Sequence, residues 1–145
     1  MNKLLSLVIV ALSGYLMVAV SSVAAEPKSA AEAIQKGKSC FDKGDFDSAI
    51  AAYTVAIGLD AKNAEAYCKR GFAYASNGEY DKAIADCTEA IRLNPRLADA
   101  YANRGLAYGS KVEYDKAIAD CTEAIRLDPK NAEAYCGRGS MYAAL

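Results

Sequence analysis

Apolar residues recur at steps of three and four along much of this chain, which is the spacing of one face of an α-helix. The phrase YDKAIADCTEAIR occurs twice, at Tyr80–Arg92 and at Tyr114–Arg126, with its charged residues mostly on the opposite face. A second helical pattern precedes each copy, and in the first case it contains Tyr67, Gly71 and Tyr74. The pattern therefore predicts pairs of amphipathic helices, here called helix A and helix B of one unit.

The two copies of the phrase are 34 residues apart, and the same period extends to both sides of them. The residues that coincide at this period are Tyr67, Tyr101 and Tyr135; Gly71, Gly105 and Gly139; and Tyr74, Tyr108 and Tyr142. A fixed period of this length indicates a stack of similar helical units, each burying its apolar face against its neighbours.

Turn-forming residues separate the predicted helices. Asn77-Gly78 divides helix A from helix B in one unit, and Gly44-Asp45 does so in the preceding unit. Asn94-Pro95 and Asp128-Pro129 end two B helices, because proline cannot continue a helix. The third unit has Lys-Val-Glu at 111–113 where a glycine turn is expected. We therefore expect a strained or altered turn there.

The spacing resembles the tetratricopeptide repeat (TPR), whose motif has an aromatic residue at position 4, Gly at 8, Tyr at 11, Ala at 20, an aromatic at 24, Ala at 27 and Pro at 32. The second unit supplies Tyr67, Gly71, Tyr74, Ala83, Cys87, Ala90 and Pro95. The third supplies Tyr101, Gly105, Tyr108, Ala117, Cys121, Ala124 and Pro129. The chain departs from the motif at two positions. Position 24 holds the small Cys87 and Cys121. Position 7, where the family often has Leu, holds Arg70, Arg104 and Arg138.

The resemblance implies an all-α, right-handed solenoid of antiparallel helix hairpins. Its three repeats are predicted at 30–63, 64–97 and 98–131, and a partial fourth repeat at 132–145 contributes a terminal helix. The first repeat is the most diverged, as terminal repeats commonly are. The apolar Met141, Tyr142 and Leu145 lie on the terminal helix where a further helix would pack. Either the chain is a fragment or a poorly capped array, or this edge stacks on a partner or on a second copy.

Residues 1–25 follow a different pattern. Lys3 precedes an apolar run at 4–20, and small residues end at Ala25, an arrangement typical of a cleavable secretory signal peptide. Cleavage there would leave Glu26 at the mature N-terminus and residues 26–29 as a linker, in a periplasmic or secreted protein. The alternative is that residues 4–20 stay in place and anchor the protein to a membrane, since the run is close to the lower length limit for a membrane-spanning helix.

Composition argues against several classes of function. The formal charge is −1, with acidic and basic residues interleaved, so no basic patch points to nucleic acid. The chain has no His and no C-x-x-C motif, and no phosphate-binding glycine loop, so no catalytic, metal or cofactor site is predicted. A thiol-dependent enzyme remains a remote alternative, because no general base accompanies any cysteine.

Geometry argues against most disulfide pairings of the five cysteines, and the sequence leaves their redox state open. Equivalent positions in adjacent units are about 10 Å apart, which is too far for a disulfide and disfavours Cys87–Cys121 and Cys68–Cys136. Cys40, Cys87 and Cys121 are interpreted as small buried apolar residues, whereas Cys136, near the exposed end, could form an intermolecular bridge.

The repeated charges are interpreted as structural. Glu89 and Glu123 each precede an arginine by three residues on helix B, which suits exposed ion pairs. The arginines at position 7 and the aspartates at position 23 (Asp86 and Asp120) recur together. We hypothesise that they form ion pairs between helix A and helix B, across a hairpin or between units.

The resemblance also implies a concave groove lined by the A helices, chiefly at positions 2, 5, 6, 9, 12 and 13. The groove residues predicted on this basis are Ile34, Lys38, Phe41, Cys68, Lys69, Phe72, Asn103, Leu106 and Ser110, and the same positions also hold Glu65, Ser76 and Asp99. An apolar floor with lysine and asparagine beside it suits an extended or helical peptide. The clamp with which chaperone-binding members grip a terminal carboxylate is missing at most of the matching positions.

The sequence therefore predicts a non-catalytic protein-interaction module that binds a protein or peptide partner in the groove. The alternatives are a membrane-anchored scaffold, with the membrane involved only if residues 4–20 are retained, and an assembly subunit that uses its C-terminal edge, with self-association as one form of assembly. The partner and the pathway are not specified by the repeat pattern.

Overall fold

A computed structural model describes residues 26–145, which form seven helices and no strand. The helices are α1 (Ala30–Asp42), α2 (Phe46–Leu59), α3 (Ala64–Ser76), α4 (Tyr80–Leu93), α5 (Ala98–Ser110), α6 (Tyr114–Leu127) and α7 (Ala132–Ala144). The predicted signal peptide and the alternative membrane anchor fall on residues 1–25 and lie outside the described residues. The prediction of an all-α helical repeat fold is confirmed.

The helices form three hairpins, α1–α2, α3–α4 and α5–α6, with α7 packed after the third. A three-residue turn joins the helices of each hairpin, and four residues join one hairpin to the next. Each odd-numbered helix also contacts the next odd-numbered helix. The A helices α1, α3, α5 and α7 thus lie side by side and form one face of the solenoid.

The core is built mainly from alanine. Among the described residues, the largest side chains with no exposed surface are Cys87 and Cys121. Gly71 and Gly105 explain how the helices approach so closely, since a Cβ atom added there would lie 2.7 and 2.9 Å from the Sγ atoms of these two cysteines. The interpretation of Cys87 and Cys121 as small buried apolar residues is confirmed, whereas Cys40 is only partly buried.

Arg70 and Arg104 each bind an aspartate across their own hairpin. Arg70 Nε and Nη2 donate to the two carboxylate oxygens of Asp86 at 2.6 and 2.8 Å. Arg104 binds Asp120 in the same two-pronged way at 2.7 and 2.8 Å. The hypothesised helix A–helix B ion pairs are confirmed, and they lie within a hairpin.

The same arginines also bridge adjacent units. Arg70 Nη1 donates to Thr54 Oγ1 on α2, and Arg104 Nη1 donates to Thr88 Oγ1 on α4, both at 3.1 Å. Each guanidinium therefore ties its own hairpin to the preceding one. The hydrogen bonds that each arginine donates to its aspartate raise the pKa of that arginine further, so both guanidinium groups are charged near neutral pH.

Each hairpin turn contains one residue in the left-handed backbone conformation, with a positive φ. Gly44 and Gly78 have φ of +77° and +80°, which glycine adopts without steric cost. Val112 occupies the equivalent place in the third turn with φ of +65°, a conformation that a β-branched residue rarely takes. The predicted strain at 111–113 is confirmed, and it is centred on Val112.

Side-chain caps start four of the helices. The side-chain oxygens of Ser29, Asp45, Asn63 and Asn131 accept hydrogen bonds from backbone N–H groups at the start of α1, α2, α3 and α7. Such caps satisfy N–H groups that have no partner within the helix. They mark the start of the first, second and fourth units, whereas α5 of the third unit follows Leu97 without a side-chain cap.

Candidate functional site

The A helices and one side chain of α2 enclose an open pocket of about 310 Å³. We call it the A-helix groove. It is lined by Lys38, Phe41, Asp42, Tyr53, Cys68, Lys69, Phe72, Asp99, Asn103 and Glu133. The groove crosses four helices of the A face, so a ligand in it would contact several units at once.

Two phenylalanines supply the apolar part of the groove. The rings of Phe41 on α1 and Phe72 on α3 have centroids 4.9 Å apart and are tilted by 30°. Phe41 also packs against the buried cluster that contains Tyr53, which fixes its position from below. Both phenylalanines are partly exposed and are held in place before any ligand binds, a feature that favours binding of an apolar side chain.

Cys68 and Asn103 join α3 to α5 at the middle of the groove. Asn103 Nδ2 donates to Cys68 Sγ at 3.5 Å, a weak contact, and this is the only hydrogen bond of the Asn103 side chain within residues 26–145. Asn103 is 8% exposed, so most of its amide is removed from water. The remaining donor and acceptor capacity of this amide is available to a peptide backbone in the groove.

Burial raises the pKa of the Cys68 thiol to about 12, with the negative charge of Asp99 acting in the same direction. Burial also raises the pKa of the Cys87 and Cys121 thiols. These three thiols are therefore protonated near neutral pH, which disfavours the thiolate that nucleophilic or redox chemistry requires.

Charge is distributed unevenly along the groove. Lys38 and Lys69 are contributed by α1 and α3, whereas Asp99 and Glu133 lie in the first turns of α5 and α7. Lys69 also forms an ion pair with Glu65, whose carboxylate lies 3.3 Å from Lys69 Nζ. Asp42, the last residue of α1, adds a negative charge to the same end of the groove. The two lysines and these two carboxylates balance at the α1–α3 end, whereas Asp99 and Glu133 make the α5–α7 end anionic.

Of the nine predicted groove residues, the structure places six in the groove lining. These are Lys38, Phe41, Cys68, Lys69, Phe72 and Asn103. Ile34 packs against two buried clusters formed by the first hairpin and α3, and Ser110 is the exposed last residue of α5. Leu106 lies against α7, where a Cβ added to Gly137 would lie 2.9 Å from Leu106 Cδ2.

The structure adds Asp42, Tyr53 and Glu133 to the groove residues read from the sequence. Asp42 and Glu133 occupy positions 13 and 2 of their units, so the positional rule that predicted the groove would have found them if it had been applied to every unit. Tyr53 belongs to a B helix, for which the rule gives no signal. Its ring reaches the groove from below.

Among residues 26–145, no group of three or more His, Cys, Asp or Glu side chains is arranged to hold a metal ion. All five cysteines are unpaired, and Cys136 is exposed. In the same part of the chain, no helix is both long enough and apolar enough to cross a membrane.

An α-helical repeat with a groove along its A helices defines a class of proteins, the helical-hairpin solenoids. Family models place this chain within that class: one described as TPR repeat matches residues 37–78, and one described as tetratricopeptide repeat matches residues 64–97 and 98–131. The chain belongs to the tetratricopeptide repeat family. No curated protein matched its sequence.

Solved structures of TPR domains are similar over most of the chain. The TPR domain of Arabidopsis OM64 is 30% identical with a TM-score of 0.78, over 81% of this chain and 98% of that one. The first TPR domain of Spaghetti (RPAP3), bound to the HSP90 peptide SRMEEVD, is 28% identical with a TM-score of 0.77, over 85% and 98%. The TPR2B domain of yeast Sti1, in a complex with pHsp70, is 29% identical with a TM-score of 0.76, over 80% and 98%.

Proposed function

We propose that this chain is a non-catalytic protein-interaction module that binds a peptide segment of a partner protein in the A-helix groove. The observation that carries the proposal is the convergence, in one open pocket, of the Phe41–Phe72 ring pair, two lysines and the Asn103 amide. An apolar side chain of the peptide would pack on the rings. Asn103 would bind the peptide backbone, and Lys38 or Lys69 would bind a carboxylate.

The similar domains support a peptide as the ligand. The RPAP3 domain is bound to an HSP90 peptide, and the second TPR domain of human RPAP3 has been solved with the HSP70 peptide SGPTIEEVD. The second domain is 30% identical to this chain with a TM-score of 0.71. Both peptides end in Glu-Glu-Val-Asp. We propose peptide binding for this chain, but with a different preference.

Charge argues for that different preference. Asp99 and Glu133 place two carboxylates at the α5–α7 end of the groove, where they would repel a cluster of acidic ligand side chains. At the α1–α3 end of the groove, Lys38 or Lys69 can bind one acidic group of the peptide. We therefore propose a peptide with an apolar anchor and few negative charges.

The raised thiol pKa values support the non-catalytic part of the proposal. Cys68 is the cysteine in the groove, and its thiol stays protonated near neutral pH. The thiol-dependent enzyme is therefore not proposed.

Charge reversal in the groove tests the proposal. A Lys38→Glu/Lys69→Glu variant changes two lysines that line it, and a Lys36→Glu/Lys62→Glu variant makes the same change in charge at two exposed lysines outside it. After circular dichroism shows that both variants are helical, partners are captured from an envelope extract. A synthetic segment of the captured partner is then titrated by calorimetry. We expect the groove variant to bind at least tenfold more weakly than both the parent and the control.

Equal binding by the groove variant and the parent would contradict peptide binding in the groove. A Phe72→Ser variant provides a second test, because it removes one ring of the pair while adding no charge. We expect it to weaken binding of a peptide with an apolar anchor, whereas the Lys36→Glu/Lys62→Glu control should bind the peptide like the parent.

Export is part of the proposal and rests on the sequence of residues 1–25. We propose that the chain is cut after Ala25 and acts in the periplasm or outside the cell. Intact-mass measurement of the protein recovered from an envelope fraction tests this, because the mature chain should begin at Glu26. A mass that includes Met1, in protein that sediments with membranes, would instead favour the anchored scaffold.

An assembly role is a second candidate function, and one observation favours it. Tyr135 and Tyr142 of α7 are 46% and 60% exposed, and Leu145, which follows the helix, is 75% exposed. A face of this kind suits a partner.

A further inference from the structure

The α5–α7 end of the A-helix groove combines two exposed carboxylates with a buried amide. Asp99 and Asn103 are one turn apart on α5, so they lie on the same side of that helix. Glu133, in the first turn of α7, lines the groove together with them. We call these three residues the acceptor end of the groove, because each side chain offers at least one oxygen that can accept a hydrogen bond.

Asn103 contributes little to the fold through hydrogen bonding. Its side-chain oxygen accepts no hydrogen bond within residues 26–145, although the residue is only 8% exposed. Among the described residues, no polar side-chain atom that is fully buried lacks a partner, so this oxygen keeps access to solvent. Because Asn103 lines the groove, that access is through the groove. A nearly buried amide that opens onto one cavity points to a ligand with a hydrogen-bond donor, since an unpaired acceptor there costs free energy.

A comparison with the second unit shows which charge the acceptor end lacks. There, Glu65 holds position 2 of the repeat, and Lys69, one turn later, forms an ion pair with it at 3.3 Å. In the third unit Asp99 holds position 2, but Asn103 replaces the lysine. Helix α5 packs between α3 and α7, so this negative charge is uncompensated in the interior of the array.

The fourth unit carries the same replacement. Glu133 holds position 2, and Gly137 stands where the lysine would be. Within residues 26–145, neither Glu133 nor Asp99 forms an ion pair, and Asp99 accepts only a 3.5 Å hydrogen bond from Asn131. Two carboxylates that line one groove without a cation attract a positively charged group of a ligand.

We propose that the acceptor end binds the side-chain ammonium of a lysine in the peptide that occupies the A-helix groove. The ammonium would donate hydrogen bonds to Asp99, Glu133 and the Asn103 oxygen, while the second N–H of the Asn103 amide stays available to the peptide backbone. This proposal rests on the proposed function, because it names the ligand class of the same groove. The peptide carries an apolar side chain for the Phe41–Phe72 ring pair and a lysine for the acceptor end.

The acceptor end also selects the kind of cation and its spacing from the apolar side chain. An ammonium is a compact charge whose three donors can be shared among separate side chains, whereas a guanidinium presents a planar fork that suits a single carboxylate. Packed helices are about 8 to 10 Å apart, and an extended chain advances about 3.3 Å per residue. We therefore expect the lysine about two to four residues from the apolar side chain.

A displayed library of short random peptides is the probe for the test. It is selected on the purified protein, on an Asp99→Asn/Glu133→Gln variant and on a Phe72→Ser variant. An Asp47→Asn/Asp115→Asn variant is the matched control, because it makes the same change in charge at two exposed residues outside the groove lining. Circular dichroism and thermal unfolding within a few degrees of the parent first establish that every variant is folded.

We expect the parent and the control to enrich peptides with a lysine about two to four residues from an apolar side chain. The Asp99→Asn/Glu133→Gln variant should lose the preference for lysine and keep the apolar one, whereas Phe72→Ser should lose the apolar preference. One enriched peptide is then titrated by calorimetry. Replacing its lysine by glutamine, or neutralising both carboxylates in the protein, should weaken binding about tenfold, with no further loss when the two changes are combined.

The contrary results separate this proposal from the proposed function. Peptides that depend on Phe72 but show no preference for lysine, or that bind the Asp99→Asn/Glu133→Gln variant as tightly as the parent, would overturn lysine binding and leave groove binding in place. An enriched peptide that accepts arginine for lysine without loss of affinity would overturn the choice of an ammonium. Failure to enrich any peptide that depends on Phe72 would contradict peptide binding in the groove itself.

Discussion

The first hairpin and the two that follow it have the same helix–turn–helix plan but different contacts between their helices. In the first, the Tyr53 ring is 3% exposed, and a Cβ at Gly37 would lie 2.5 Å from it. In the others, a cysteine takes the place of the tyrosine and an Arg–Asp pair lies beside it. Lys36 and Ala52 occupy the arginine and aspartate positions of the first hairpin, so it has no such pair.

The difference shows that one backbone arrangement can be stabilised by two kinds of chemistry. A large buried ring contributes through its apolar area, at about 25 cal/mol per Å². A small thiol contributes less area, and a partly buried ion pair adds little net free energy because desolvation offsets the attraction. The pair does, however, make each partner costly to lose alone. The hairpins should therefore respond differently to mutation and to pH.

Removing the ring should have the largest effect. We expect Tyr53→Ala to lower the free energy of unfolding by about 3 to 5 kcal/mol, because it leaves a cavity beneath Gly37 and Phe41. Urea denaturation followed by circular dichroism measures the change. Tyr142→Ala, at a position 60% exposed, is the control and should change stability little. A loss below about 1 kcal/mol for Tyr53→Ala would mean that the first hairpin does not depend on its aromatic core.

Breaking an ion pair should come next. We expect Arg104→Met to cost about 2 kcal/mol, because it leaves the Asp120 carboxylate, in a residue 8% exposed, without its charged partner. The double variant Arg104→Met/Asp120→Leu should recover at least half of that loss, since no unpaired charge remains. Arg126→Met, which breaks the exposed pair with Glu123, should have no measurable effect on the urea midpoint. No recovery in the double variant would contradict this account.

The loss of stability at alkaline pH should distinguish the contribution of the buried thiols from that of the Tyr53 ring. Burial raises the pKa of Cys68 to about 12 from 9.0 and that of Tyr53 to about 12 from 10.0, and it also raises the pKa of Cys87. The pKa values of these groups are higher in the folded than in the unfolded protein. Their contribution to the free energy of unfolding is therefore complete below about pH 9 and is lost as the pH rises towards 12.

Thermal unfolding at a series of pH values checks this dependence. In a Cys68→Ala/Cys87→Ala/Cys121→Ala variant, which lacks all three buried thiols, the decline should begin nearer pH 10, where tyrosine starts to ionise in the unfolded chain. A decline that begins at the same pH in both proteins would show that the thiols are not responsible.

The smallest effect is expected at the third turn. Val112→Gly should stabilise the protein by about 0.5 to 1 kcal/mol, because glycine adopts a φ of +65° without strain but also loses more chain entropy on folding. Gly78→Val, the reverse change at the equivalent place in the second turn, should destabilise it. Chemical denaturation of the two variants measures the change in the free energy of unfolding for each. A Val112→Gly protein less stable than the parent would show that the valine side chain is needed for packing.

Much of this architecture follows from local sequence. The repeat period predicts the hairpins, and the missing glycine at 111–113 predicts the strained turn, because each depends on residues close together in the chain. The pairing of Arg104 with Asp120 was also foreseeable. Its location within a hairpin was not, since the choice depends on how helix A rotates against helix B in three dimensions.

The groove was less predictable for the same reason. Positional rules find Lys38, Phe72 and Asn103, but they do not tell which groove position the next helix will cover. Leu106 lies against α7 because Gly137 has no side chain to hold that helix away. Tyr53 reaches the groove from a B helix, a contribution that depends on the tertiary packing of the first hairpin.

The alanine-rich core has a consequence for how such a protein can change over time. Where side chains are this small, the spacing of the helices is set by near contact of their backbones, so few core substitutions can alter the curvature of the array. The residues that determine shape and those that select a ligand are therefore largely separate sets. New binding preferences can arise by exchange of a few groove side chains on an unchanged frame.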